Sequence, residues 1–110
     1  MACKVRYSPM AIKDMDEIWD GVLKVSCDYD TADRYVNDLA DEIAKKKTAP
    51  RAGIPLYYRG LFTGFYSVNF KAYKAFYRII DNHIEVIRVL LAKMDYLKVL
   101  FGSQTDGSQG

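Results

Sequence analysis

The sequence predicts an α+β domain of order βααβββ, an N-terminal αα-hairpin packed on a small antiparallel sheet. Three observations predict it. Residues 3–8 alternate apolar and polar side chains. Two stretches, 10–28 and 31–47, repeat apolar residues at three- and four-residue spacing. Residues 65–92 are rich in β-branched and aromatic types and are broken by two pairs of turn residues. The 110 residues suffice for one domain, set at 1–102, and a small polar tail over 103–110 is expected to be disordered.

In the first strand Cys3, Val5 and Tyr7 alternate with Lys4 and Arg6, the period of a half-buried strand. Ser8-Pro9 ends it. The serine hydroxyl can accept from a free first-turn amide, and proline needs no amide donor at the first helical position. The first helix carries Ile12, Met15, Ile18, Trp19, Val22 and Leu23 as its apolar stripe, with Asp14, Asp16, Glu17 and Asp20 mostly off it. Trp19 is expected to anchor the core.

Asp30 is the expected N-cap of the second helix, whose stripe is Ala32, Tyr35, Val36, Leu39 and Ile43. Lys45, Lys46 and Lys47 fall in its last turn, where positive charge offsets unsatisfied carbonyls. Two helices joined so tightly form an antiparallel pair. Residues 48–64, with two prolines and three glycines, read as an irregular connection. Three consecutive antiparallel strands follow at 65–70, 73–81 and 83–92, and 95–101 reads as a short helix or strand.

Composition excludes several classes. A net charge of +2 does not announce a nucleic-acid binder. Two cysteines without a metal-type spacing predict neither a disulfide framework nor a zinc site, and no cofactor is expected. The N-terminus has no long apolar run, so no signal peptide and no membrane segment are expected, and a cytoplasmic location follows as the default. His83 beside a turn reads as an exposed turn residue. No serine–histidine–acid pattern or glycine-rich phosphate loop is present.

If Asp81-Asn82 is a two-residue turn, Arg78 faces Glu85, Phe76 faces Ile87 and Ala75 faces Arg88. Lys74, Phe76, Arg78, Glu85, Ile87 and Val89 then share one face. Tyr73, Ala75, Tyr77, Ile79, Ile84, Val86, Arg88 and Leu90 share the other, more apolar face, which meets the helices. Arg78 and Glu85 would form a cross-strand ion pair worth about 0.2–1 kcal/mol. The first face carries more apolar area than a solvated sheet needs, which predicts a covering partner.

The stretches 7-YSPMAIKDMDEIWD-20, 48-TAPRAG-53, 73-YKAFYRI-79 and 84-IEVIRVL-90 with 95-DY-96, in this order, resemble the RelE/ParE superfamily of bacterial type II toxins, closer to the ParE side. The resemblance covers about residues 3–101. It implies a small toxin neutralised by a cognate antitoxin whose flexible segment wraps it. ParE-like members bind DNA gyrase, the target favoured here. RelE-like members instead cut mRNA on the ribosome, the alternative. Those place an arginine at the position of Lys74, a second near Met94 and a tyrosine near Leu100 and Phe101. Methionine cannot supply a cation, so the resemblance leaves the catalytic residues unassigned. A non-toxic interaction module on the same fold is a third reading. Lys74, Arg78, Arg88 and Lys93 are the residues expected to meet target or antitoxin.

Overall fold

The structure, a computed structural model, describes residues 4–102; Cys3 and the tail expected to be disordered at 103–110 lie outside the described residues. Strand β1 (Lys4–Tyr7) leads into helix α1 (Pro9–Ser26) and helix α2 (Tyr29–Ala44). Two short 3-10 turns, Lys45–Lys47 and Pro50–Ala52, lead to β2 (Ile54–Tyr58), β3 (Leu61–Phe70), β4 (Tyr73–Ile80) and β5 (His83–Leu91), and helix α3 (Tyr96–Phe101) follows. The sheet order is β1-β5-β4-β3-β2, with β1 parallel to β5 and every other pair antiparallel.

The expected α+β architecture is present, with one strand more than predicted. Residues 54–58 are not an irregular connection but the edge strand β2, and β3 begins at Leu61 rather than at residue 65. A two-residue turn joins them, with Arg59 at φ 55° and Gly60 at φ 81°. Both central residues at positive φ is the hairpin geometry whose twist suits paired strands, and glycine adopts it without a Cβ penalty.

Ser8 caps α1 as expected: its Oγ accepts from the Ala11 amide at 3.0 Å while donating to the Ile87 carbonyl at 2.8 Å. The stripe of α1 is rotated from the predicted one. Ala11, Asp14 and Ile18 are buried, Met15 and Val22 pack beside them, and Ile12 is exposed. Trp19 is half-buried and is no core anchor; it donates to Asp33 Oδ1 at 2.8 Å and lies 5.8 Å from the Tyr29 ring, bracing α1 against α2. The α2 stripe holds as predicted, with Ala32, Leu39 and Ile43 buried. That helix starts at Tyr29, so Asp28 rather than Asp30 is its N-cap, and Asp28 accepts from the Thr31 hydroxyl.

One core lies between the helix pair and the sheet. Ile18, Leu39 and Ile43 meet Val68, Ala75, Tyr77, Ile84, Val86 and Val89. The hairpin register is as predicted from Ile80↔His83 to Tyr77↔Val86. A bulge at Ile87 then shifts it: Phe76 pairs with Arg88, Ala75 with Val89 and Lys74 with Leu90. An extra residue on one strand exchanges the faces of everything beyond it. Val89 therefore joins the core, not the outer face, while Arg88 and Leu90 stand across from outer-face residues.

Candidate functional site

The sheet face opposite α1 and α2 carries the cations singled out from the sequence. Alternation along β4 puts Lys74, Phe76 and Arg78 there, with Phe65, Ser67 and Asn69 across from them on β3. Helix α3 lies over this face. Asp95 caps it by accepting from the Lys98 amide at 3.3 Å. Tyr96 sits 5.1 Å from the Phe76 ring, and Phe101 stacks on Tyr58 at 5.0 Å and lies 6.0 Å from Phe65. Phe76 is left 0% exposed, so the chain's own helix covers apolar area expected to await a partner.

Around α3 the polar residues are held in place. Lys74 donates to Asn69 Oδ1 at 2.8 Å and its ammonium lies 5.9 Å from the Tyr96 ring centre. Arg78 pairs with Glu85 at 2.9 Å, the cross-strand pair the register predicts, with 49% of the arginine side chain accessible. Lys93 is exposed in the turn after β5, and the neighbouring Met94 is 39% exposed. Lys74, Arg78, Lys93 and Met94 thus share the region around α3.

Arg88 has a different place. Its Nε donates to Asp14 Oδ2 at 2.8 Å and its Nη2 to Oδ1 at 3.0 Å. The same carboxylate accepts the Val89 amide at 2.9 Å. Beyond Tyr7, β1 no longer pairs with β5. There the edge of β5 is closed by α1, through Ser8 to Ile87 and Asp14 to Val89. The Asp14 hydrogen bonds raise the Arg88 pKa, against a smaller opposing effect of burial. Sequence reasoning missed Asp14 by placing it off the buried stripe. Its signal was present: it lies three residues after buried Ala11 and four before buried Ile18.

A second polar point lies under the helices. Tyr77 donates from its hydroxyl to the Pro50 carbonyl at 2.5 Å and is 0% exposed. Burial, helped by nearby Tyr66, pushes its pKa up to about 12, while a hydrogen bond with the Gly53 main chain pulls the other way. Among the described residues no group of three or more His, Cys, Asp or Glu could hold a metal ion, and no helix is long and apolar enough to cross a membrane.

A helix pair packed on a five-stranded, mostly antiparallel sheet is the RelE/ParE-like α+β fold. The family model described as the ParE toxin of the type II toxin–antitoxin system parDE matches residues 5–96. The chain belongs to this toxin family. No curated protein matches by sequence. Among solved structures, the chromosomal ParDE system of P. aeruginosa is similar with a TM-score of 0.69 at 16% identity, covering 83% of this chain and 97% of that one. The RelBE2 toxin–antitoxin complex of Mycobacterium tuberculosis is similar at 0.59 and 22% identity, covering 83% and 99%. A mutant RelE toxin of E. coli in the free state is similar at 0.61 and 19% identity, covering 90% and 93%. At these identities the likeness is one of fold.

Proposed function

We propose that this toxin arrests growth by binding DNA gyrase and is neutralised by a cognate antitoxin, with Lys74, Arg78 and Lys93 at the edge of α3 as the contact surface. Arg88 shapes that surface by locking α1 to β5. The observation that carries the reading is the Arg78–Glu85 pair. Cleavage of RNA needs cations converging on a phosphate as it gains charge. Here a carboxylate stands beside the best-placed guanidinium, and Met94 is apolar. Such a surface suits contact with a protein, where paired and apolar groups are both accommodated. The match to the ParE family supports the same target.

The alternative, cleavage of mRNA on the ribosome, draws on the Lys74 ammonium over the Tyr96 phenol, a cation and a hydroxyl-bearing ring in one patch. Expression of the chain alone in bacteria separates the readings. DNA damage with intact transcripts is the expected result. Transcripts cut within translated frames overturn the gyrase target, and undisturbed growth leaves an inert interaction module. Exchanging Lys74 and Arg78 together for alanine should weaken target or antitoxin binding about tenfold and flatten its salt dependence. Affinity and salt slope equal to wild type would remove this face from the mechanism.

A further inference from the structure

Strand β3 outruns its neighbour. The first β2–β3 pair is Ile54↔Ser67, so no residue of β2 stands beside Val68, Asn69 and Phe70. Upstream of Ile54 the chain leaves the sheet edge at Gly53, which lies against the Tyr77 hydroxyl under the helices. On the other side of β3, Phe70↔Tyr73 close a two-residue turn and form its hydrogen-bonded pair, and alternation makes Val68↔Ala75 the next such pair. Asn69 therefore turns its main-chain N–H and C=O away from β4, toward the uncovered edge. Among the described residues neither group has a main-chain partner. The Asn69 side chain is already engaged by Lys74, so only its main chain is on offer.

The uncovered edge forms one wall of a cleft of about 170 Å³, whose other wall is the end of α2 and the 3-10 turn that follows it. Lys46 lines this cleft and is half-buried, and among the described residues its ammonium has no hydrogen-bond or ion-pair partner. Glu42 also lines it but is engaged by Lys45. Every other wall residue comes from the stretch between Glu42 and Asp81, which holds eight lysines and arginines and no carboxylate side chain. A half-buried cation without a counter-charge, next to an open amide, favours an anion.

We propose that this cleft binds the C-terminal carboxylate of an extended peptide, with Lys46 as its counter-ion and the Asn69 main chain pairing the last residues of the peptide. The ligand then takes the place beside β3 that β2 leaves empty, and its end is held by charge. The groups on offer set the ligand class. Lys46 and the Asn69 N–H call for acceptors, one of them anionic. The Asn69 carbonyl calls for a donor on the same molecule, which a peptide main chain carries. Inorganic phosphate brings a second negative charge toward Glu42 and fits less well. Val68 and Ile54 on the cleft wall suit a small aliphatic last residue.

The inference is independent of the gyrase reading, whose contact residues lie around α3. The probe is acetyl-trialanine with a free carboxylate, titrated onto the isotope-labelled full chain and followed by NMR at the Asn69 amide. The peptide should shift that resonance, and its C-terminal amide should bind about tenfold more weakly. Lys46→Gln should weaken binding of the acid about tenfold. Lys47→Gln should leave it unchanged, since that equal loss of charge falls in the groove beside β1. Glu42→Gln, which frees Lys45, should tighten it. Thermal melts check that each variant is folded, and the comparison of acid with amide needs no variant at all. Acid and amide shifting the Asn69 amide alike, or neither shifting it, overturns the proposal. So does inorganic phosphate or acetate binding as tightly as the peptide.

Discussion

Asp14 accepts from a guanidinium and a main-chain amide at once, and it is 7% exposed. Asp14→Ala leaves both donors without their acceptor, and such losses are large because burial denies them water. Denaturant unfolding should show a loss of about 3 kcal/mol. Asp14→Ala in an Arg88→Ala background should cost clearly less, since only the Val89 amide is then orphaned. Gly53 sets a second constraint. A Cβ there would come within 2.2 Å of the Tyr77 hydroxyl. Gly53→Ala should cost about 1–3 kcal/mol by crowding, and Tyr77→Phe should relieve part of it by removing the oxygen. A cycle that shows no coupling would place the strain elsewhere. Trp19 braces two helices instead of filling the core, so Trp19→Ala should fall below the 3–5 kcal/mol typical of a fully buried aromatic.

At the scale of elements, α3 is the most informative piece. It is six residues long and held mainly by Tyr96 and Phe101. Phe101→Ala should uncover Tyr58 and Phe65, lower stability by about 1–3 kcal/mol and raise binding of a hydrophobic dye. The two long helices were legible because their apolar spacing is regular over many residues. The Asp81-Asn82 turn was legible because apolar runs flank it, and it carried the register correctly for four pairs. The bulge at Ile87 was not, since nothing in alternating apolar residues marks where one is unpaired. β2 was obscured by prolines at 50 and 55, although 54-IPLYY-58 and 61-LFTGFY-66 flank a two-residue Arg-Gly turn that was readable. Of the expected site, Lys74, Arg78 and Lys93 are found around α3. Arg88 departs because its partner, Asp14, is 74 residues away in sequence.

The whole molecule answers to pH through its buried phenol. In the fold Tyr77 keeps its proton to about pH 12, whereas an unfolded tyrosine releases it near 10. The folded chain thus binds more protons between those values. Stability that is complete below pH 10 falls as pH rises toward 12, by about 2–3 kcal/mol for this group. Alkaline melting curves should show the decline, and Tyr77→Phe should flatten it.

The parallel pairing of β1 with β5 has a consequence for how the toxin comes into being. Lys4 sits beside His83, and the Asp14–Arg88 clasp closes a span of chain nearly as long. Closing so long a loop is slow relative to local hairpin formation. During synthesis the first strand and first helix have no sheet to join until β5 has been made. A chain cut short before β5 is a fragment lacking the strand on which its own beginning must dock.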